Sequence, residues 1–278
     1  MTREGTLLDM LEAELAGAKE PLRLEALAPA LLRTAPGPLA SKVLEGLILG
    51  DARFALEDGA VRLVPHRDPL LEVAIHELEF AVIDFETNGL SPFDRAIEVG
   101  VARFRGGQEV EHFQTLLNPG TPLSSFVVAL TGIRPEDLQG RPAFAEVRER
   151  LEEVLAGAVM VAHNLPFDQR ILRREMLLAG ADRHARRPSL CTLALSRKLL
   201  PREEPKGLDA LAERFSIAVA DRHRALGDAR ATGALLYKLL DLASETAEVK
   251  SWRDLKEFTC SAPAPDRPRK PRVRAPGA

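Results

Sequence analysis

The stretch FAVIDFETNGL, residues 80–90, decides how the whole chain is interpreted. Its apolar residues predict a buried strand, and two carboxylates, Asp84 and Glu86, interrupt that run. Residues two apart on a strand project from the same face, so we expect these carboxylates to lie side by side. Burying two like charges together raises their pKa values and costs free energy. A divalent cation removes that repulsion, because Mg²⁺ and Mn²⁺ prefer oxygen ligands.

Taken alone, this pair of acids also fits two solvated residues at a strand end, but a second segment presents an acid in a similar setting. MVAHNLPFDQRIL, residues 160–172, predicts a strand that continues through His163 and Asn164 into a helix carrying Asp168. Pro166 suits the first turn of such a helix. Asp168 by itself equally fits an acid that stabilises a helix N-terminus.

The third segment is DRHRALGDARATGALL, residues 221–236, which predicts a helix with His223 at its entry and Asp228 just over one turn further in. Each of these residues alone also fits an exposed surface position. Taken together, however, three apolar segments that are separated in the sequence each carry an acidic residue at a polar end. Four carboxylates can hold two metal ions about 3.5–4 Å apart for in-line attack on a phosphodiester. A histidine, with an ordinary pKa of about 6.5, suits the general base that takes the proton of the attacking water.

The three segments resemble the three exonuclease motifs of the DnaQ-like DEDDh 3′–5′ exonucleases. The motifs DFETNGL, HNLPFD and HRALGDA carry the likeness, and LTGI at residues 130–133 resembles the family's segment between its first and second motifs. The resemblance covers about residues 78–242. It implies a ribonuclease-H-like α/β fold with a mixed sheet flanked by helices and a site for two Mg²⁺ or Mn²⁺ ions. The implied metal ligands are Asp84, Glu86, Asp168 and Asp228, with His223 as the general base.

The same resemblance implies a pocket for the 3′-terminal nucleotide. Its implied lining residues are Thr87, Asn88, Gly89, Leu90, Thr131, His163 and Asn164. Asn88 stands where the family usually has a threonine, which removes the hydroxyl at that position, whereas Gly89 retains the flexibility that lets the backbone meet the nucleotide. Leu90 and Thr131 also fit ordinary packing of a turn.

Within the family, the likeness to the epsilon proofreading subunit of bacterial DNA polymerase III implies release of 5′-mononucleotides from DNA 3′ ends during replication proofreading or repair. The implied partners are single-stranded or frayed DNA 3′ ends and a replicative polymerase subunit. Trimming of RNA 3′ ends is the alternative within the family, because discrimination depends on a contact to the 2′-hydroxyl. A non-catalytic adaptor that binds nucleic acid or a polymerase is the alternative of another class.

The sequence predicts three parts. Residues 1–70 show helical periodicity followed by a hairpin around an Asp-Gly pair, which is typical of a small α+β winged-helix-like domain. That part has eight Lys and Arg against eleven Asp and Glu, which disfavours strong binding to DNA phosphates and leaves a protein-contact module equally open. Residues 71–247 are the predicted exonuclease domain. Residues 248–278 end in a basic, proline-rich tail that we expect to be disordered.

The composition excludes several other classes of protein. The two cysteines, Cys191 and Cys260, are too few for a disulfide framework or a cysteine zinc site. The chain has no apolar secretion signal and no run of 18 apolar residues, so we expect a cytoplasmic protein without a membrane partner. The net charge of −3 lacks the basic excess that marks many nucleic-acid-binding chains.

Overall fold

A computed structural model describes residues 7–260 apart from 19, 49–53, 64–67, 90, 92–93, 182–186 and 203. The predicted basic tail and Leu90 lie outside the described residues. The chain divides into two compact units, Met1–Asp68 and Pro69–Ala278. A search of the described residues finds no helix with the length and apolar character needed to span a membrane.

The first unit contains three helices and a small antiparallel sheet in its described part. Its elements are α1 (Leu7–Ala16), β1 (Leu22–Arg23), α2 (Leu24–Leu32), α3 (Pro38–Ile48), β2 (Phe54–Glu57) and β3 (Ala60–Leu63), with the strand order β1-β3-β2. The predicted hairpin is confirmed: Asp58 and Gly59 form its turn with φ of 48° and 73°, which an Asp-Gly pair accepts readily. The sequence predicts a turn from Glu57 to Gly59, whereas in the structure Glu57 is the last residue of β2. The winged-helix assignment stays a prediction.

The second unit is built on a five-stranded mixed sheet with the order β6-β5-β4-β7-β8. Its strands are β4 (Glu79–Thr87), β5 (Ala96–Arg105), β6 (Gln108–Leu116), β7 (Val159–Ala162) and β8 (Ser189–Cys191). Strands β4, β5 and β6 form an antiparallel meander, and β7 and β8 are added in parallel. The predicted mixed sheet is therefore confirmed. The pattern LCTLALSRKLL, residues 190–200, predicts a helix from Leu190, whereas the structure places Leu190 in β8 and begins the helix at Thr192. A three-residue edge strand is too short to show alternation.

Helices cover the sheet of the second unit. In its described part they are α4 (Ser125–Thr131), α5 (Phe144–Leu155), α6 (Leu165–Leu178), α7 (Thr192–Leu199), α8 (Leu208–Arg214), α9 (Ala225–Ala247) and α10 (Trp252–Cys260), with a 3₁₀ turn at Pro135–Leu138. Helix α10 lies in the C-terminal segment, ahead of the predicted tail. Its Trp252 and Leu255 are buried in the core, so this segment is part of the folded unit.

Two hydrophobic cores lie on the two faces of the sheet. Because strand side chains alternate, Phe80 and Val82 of β4 pack on the side of α9, whereas Ile83 packs on the side of α5 and α6. Fully burying one such side chain contributes about 1.5–3 kcal/mol, so this alternation fixes the register of the strand strongly. Asp84 and Glu86 continue the row of Phe80 and Val82. The two acids therefore project on the side of α9.

The first turn of α9 lies directly on β5. Gly100 is paired in register with Asp84, and a Cβ atom at Gly100 would lie 2.3 Å from the backbone nitrogen of Leu226. No residue larger than glycine fits between the strand and the helix at this point. This close approach brings Asp228, in the first turn of α9, to the end of β4 that carries the two acids.

Candidate functional site

The structure brings the five predicted catalytic residues together from three places in the chain. Asp84 and Glu86 come from the end of β4, and Asp168 comes from the first turn of α6. His223 lies in the loop before α9, and Asp228 lies in the first turn of that helix. Asp168 and Asp228 are 2% and 6% exposed, and the other three are half-buried. Their catalytic and ligand roles stay predictions.

Three of these residues form a group that can hold a metal ion. One ligand atom each from Glu86, His223 and Asp228 lies within 4.8 Å of the other two. Burial, followed by the charges of Asp228 and Glu98, raises the pKa of Glu86 from 4.5 to about 7. The nearby Arg222 opposes that shift. The group is therefore an electrostatically strained set of donors in the metal-free protein.

Asp84 and Asp168 extend this cluster. Burial raises the pKa of Asp84 well above its usual range, and the charges of Asp168 and Glu86 add to the effect. Burial also raises the pKa of Asp168 well above its usual range, although the backbone N–H of Phe85 partly favours its ionised form. Both shifts have the cause that the sequence predicted, namely carboxylates crowded in a site with little solvent.

The donor set fits a divalent cation. Oδ1 of Asp168 is buried and has no hydrogen-bond partner among the described residues. A buried carboxylate oxygen without a partner costs free energy unless a ligand satisfies it. Carboxylate oxygens are the donors that Mg²⁺ and Mn²⁺ prefer, and no thiolate contributes to the group. The number and identity of the ions stay predictions.

Arg222 is a charged residue at the site that the sequence interpretation missed. Its Nη1 donates a hydrogen bond to Oδ1 of Asp228, and its Nε donates to Oδ1 of Asp209 at 2.5 Å. The guanidinium thereby supplies positive charge to an otherwise acidic cluster. Its position directly before His223 in the sequence was a signal, but an exposed arginine in a loop fits that position equally well.

Two predicted pocket residues have hydroxyl groups that are satisfied within the protein. Oγ1 of Thr87 donates to the carbonyl of Gly89 at 2.8 Å. Oγ1 of Thr131 donates to the carbonyl of Val127 at 2.9 Å and accepts from the N–H of Ile133 at 3.1 Å. These hydroxyls stabilise the turn after β4 and the end of α4. A contact of either residue with a nucleotide stays a prediction.

The structure accounts for Asn88. Its Nδ2 donates to Oγ1 of Thr121 at 2.9 Å and to the carbonyl of Pro122 at 3.1 Å. Its Oδ1 accepts from the N–H of Arg95 at 2.8 Å. The side chain is 8% exposed, so its amide joins the turn after β4 to the loop before α4. Threonine lacks the second donor and the reach for this set of bonds.

Gly89 lies in the turn after β4, and its φ is not in the left-handed region. A Cβ atom at Gly89 would lie 2.6 Å from Oδ2 of Asp94, so a larger residue requires the end of that side chain to shift. The expected contact of the Gly89 backbone with a nucleotide stays a prediction.

His163 and Asn164 follow β7 and differ in exposure. Nε2 of His163 lies 2.9 Å from the carbonyl of Lys206, and Nδ1 lies 2.9 Å from Oγ1 of Thr192. Burial lowers the pKa of His163, so Nε2–H donates to the carbonyl and neutral Nδ1 accepts from the hydroxyl. Asn164 is exposed at the start of α6 with φ of 78°, a conformation that asparagine tolerates better than most residues. Of these two side chains, that of Asn164 is the more open to solvent.

Two buried glutamates hold segments near the site together. The sequence interpretation missed both. Glu98 of β5 accepts from Nη2 of Arg224 at 2.8 Å and from the N–H of Ala225 at 3.1 Å. Glu175 of α6 accepts from Nε and Nη2 of Arg95 at 2.8 and 2.9 Å. The glutamates are 0% and 1% exposed, so each joins a distant segment to the element that carries it.

The fold and the site define a ribonuclease-H-like α/β protein with a carboxylate-rich centre at the ends of β4, α6 and α9. The profile of the Exonuclease (RNase_T) family matches residues 81–236, more than half of the chain. The chain therefore belongs to this family, and the predicted resemblance to DnaQ-like exonucleases is confirmed.

Two curated relatives with similar sequences are named for DNA polymerase III. A DNA polymerase III subunit epsilon-like protein of Rhodobacter capsulatus is 40% identical over 177 residues, 62% of this chain and 25% of that protein. A PolC-type DNA polymerase III of Latilactobacillus sakei is 35% identical over 207 residues, 73% of this chain and 14% of that protein. The chain thus spans a quarter or less of the length of these relatives.

A solved structure agrees with the family assignment. Exonuclease X in complex with 5′ overhanging duplex DNA matches with a TM-score of 0.51 and 26% identity. The match covers 65% of this chain and 99% of that one, so the likeness extends over the whole of the smaller protein.

Proposed function

We propose that this chain is a metal-dependent 3′–5′ exonuclease that releases 5′-mononucleotides from DNA 3′ ends. The observation that carries the proposal is the convergence of four acids and His223 within a fold of the Exonuclease family. Asp84, Glu86, Asp168 and Asp228 would hold two Mg²⁺ or Mn²⁺ ions. When bound, such ions neutralise charge on the phosphate and make a water acidic enough to lose its proton near neutral pH.

The residues of the chain have separate roles in this proposal. His223 accepts the proton of the attacking water, because its ring lies beside the carboxylates of Glu86 and Asp228 and is half-buried. The turn after β4 and the exposed Asn164 position the terminal nucleotide. The base must be unpaired to enter, which favours single-stranded or frayed ends as substrates.

The names of the similar proteins support DNA as the substrate of this chain. The solved relative is described in complex with duplex DNA, and the curated relatives are named for DNA polymerase III. On the same basis we propose that the chain acts in replication proofreading or repair in the cytoplasm and associates with a replicative polymerase subunit. Trimming of RNA 3′ ends remains the competing outcome of the test below.

A nuclease assay tests the proposal directly. The full chain is incubated with Mg²⁺ or Mn²⁺ and with 5′-labelled DNA and RNA of one sequence, presenting single-stranded, mismatched or paired 3′ ends. We expect stepwise shortening of DNA, faster at unpaired ends, and no reaction with excess chelator. Preference for RNA would reassign the substrate, and binding of 3′ ends without hydrolysis would favour the adaptor. Activity that survives in Asp84→Ala would contradict the proposed centre.

A further inference from the structure

The loop before α9 holds His223 in a conformation that its side chain does not secure. His223 has φ of 58°, and Asp221 two residues earlier has φ of 54°. Left-handed backbone is costly for residues other than glycine and persists where neighbouring groups hold it. Within the part of the chain that the structure describes, the His223 ring makes no hydrogen bond. The position of the ring therefore depends on how the backbone of the loop is held.

Glu98 holds the backbone directly after His223. Its carboxylate accepts from Nη2 and Nε of Arg224 at 2.8 and 3.1 Å and from the N–H of Ala225 at 3.1 Å. Gln114 on β6 donates to the same carboxylate at 2.7 Å, which fixes the orientation of the Glu98 side chain. Both residues that follow His223 are thus tied to one fully buried carboxylate. We call this set of contacts the Glu98–Arg224 clamp.

The strand that carries the clamp also pairs with the strand that carries the acids. Glu98 of β5 is in register with Glu86 of β4, and β5 lies between β4 and β6 in the sheet. An internal strand bonded on both sides is among the most rigid parts of a fold. The separation of His223 from Glu86 is consequently set by the pairing of β4 with β5, through Glu98.

A contribution to stability is a weak explanation for an ion pair such as that of the clamp. A buried ion pair costs desolvation free energy, and apolar residues of similar volume usually stabilise a protein as well or better. What an ion pair adds is a defined geometry, because the guanidinium fork accepts a carboxylate in few orientations. That geometry matters where a backbone must be held within a fraction of an ångström of its working position.

We infer that the Glu98–Arg224 clamp positions His223 against the carboxylates of Glu86 and Asp228, an inference that rests on the proposed nuclease function. Glu98 touches neither the substrate nor the reacting atoms, so it is a positioning residue. Its removal displaces the base, and it also removes a charge that acts on Glu86. The position of the His223 ring in the metal-free protein is therefore the readout specific to the clamp. The effect on activity falls on turnover more than on substrate binding.

The test compares two buried glutamates that have the same chemistry. Glu98→Gln loses the charge of the clamp, and Glu175→Gln is the matched control, because Glu175 pairs with Arg95 in the same way but holds no residue next to His223. Both are made in the full chain. We measure kcat and KM on a single-stranded DNA oligonucleotide at saturating Mn²⁺. We also record the NMR signal of the His223 ring in the metal-free protein, identified by its loss in His223→Gln.

We expect Glu98→Gln to lower kcat about 10- to 100-fold with KM changed less than about threefold. The His223 signal shifts or broadens in this variant. Glu175→Gln loses stability but keeps kcat and the His223 signal. A folded Glu98→Gln with the kcat and ring signal of the wild type would overturn the inference. An equal loss of kcat in Glu175→Gln would also overturn it, because it would reveal general loosening.

A second variant keeps the test decisive where Glu98→Gln does not fold. Arg224→Lys keeps a positive charge opposite the buried Glu98 but loses the guanidinium fork that sets the geometry, and this side chain is 38% exposed. The same loss of kcat supports the inference, and unchanged kcat overturns it. An inactive wild-type chain would count against the proposed nuclease itself. The NMR comparison needs no activity and would still show whether Glu98 positions the His223 ring.

Discussion

Buried carboxylates in the second unit are of two kinds. Glu98 and Glu175 are 0% and 1% exposed, and each accepts hydrogen bonds from an arginine and from a backbone N–H. Asp168 is 2% exposed, and its Oδ1 has no partner in the described residues. Asp84 lies beside it with a raised pKa. The two glutamates are satisfied by the polypeptide, whereas Asp168 has an oxygen that only a ligand would satisfy. Asp228 combines both features, because it belongs to the metal-binding group while its Oδ1 accepts from Arg222.

The largest expected effect is the loss of nuclease activity when a candidate metal ligand is replaced. Asp84→Asn and Asp168→Asn remove one ligand charge each, and we expect nuclease activity to fall by at least about 10³-fold. The stability of the metal-free protein does not fall, because a crowded buried charge is removed. Steady-state assays and urea denaturation measure the two effects. Glu79→Gln, at the far end of the same strand, is the control and keeps its activity.

The next effect concerns the contribution of a hydrogen-bonded buried glutamate to the stability of the fold. Glu175→Ala leaves the half-buried Arg95 without its carboxylate and the N–H of Ala96 without an acceptor. Removing one partner of a buried pair costs about 3–5 kcal/mol, and partial exposure of Arg95 reduces this to about 2–4 kcal/mol. Urea denaturation in chelator measures the loss. An unchanged midpoint would break the comparison, because Glu175 would then contribute no more than a surface residue.

Binding of Mn²⁺ gives a smaller effect that sharpens the comparison. A ligand at 100 times its dissociation constant stabilises a folded protein by about 2.7 kcal/mol. We expect added Mn²⁺ to raise the melting temperature of the wild type and of Glu175→Gln. Asp84→Asn shows little or no rise, because the cation has lost a ligand. Thermal unfolding with and without Mn²⁺ provides the measurement, and an equal rise in Asp84→Asn would argue that the ion binds elsewhere.

The smallest effect is a pH dependence of the metal-free protein. Glu86 has its pKa raised from 4.5 to about 7 in the folded state, so the folded protein holds this proton where the unfolded chain has released it. The corresponding stability is complete below about pH 4.5 and is lost as the pH rises through about 7, by about 1–2 kcal/mol after allowance for partial exposure. Unfolding free energies at pH 5 and pH 8 in chelator test this. Glu86→Gln reduces the difference, and an unchanged difference would assign it to other groups.

Local patterns were enough to predict much of the second unit. The strand from Glu79 to Thr87 carries Asp84 and Glu86 at the predicted end, and Asp168 lies on the predicted helix after β7. Local patterns did not predict elements whose formation depends on contact with a segment distant in the chain. Strand β8 exists because β7 offers it a partner, and Trp252 of α10 is buried because the core lies beside it.

The supporting residues of the site show the same limit. Glu98 gave a usable signal, because it interrupts an apolar strand as Asp84 does, but its partner Arg224 is 126 residues away. Glu175 gave none, since an acid among arginines on a helix is ordinarily at the surface. Asn88 was noticed as a departure from the family, yet its reason lies in Thr121 and Pro122.

The sequence by itself determined the class of fold, the family and the identity of the candidate centre. Periodicity and the chemistry of carboxylates are properties of residue types and short spacings, which are legible without coordinates. Only the tertiary structure decided which acids are satisfied, where His223 is held and why residue 100 is a glycine. Those outcomes depend on distances between segments far apart in the chain, and such distances are set by packing of the whole unit.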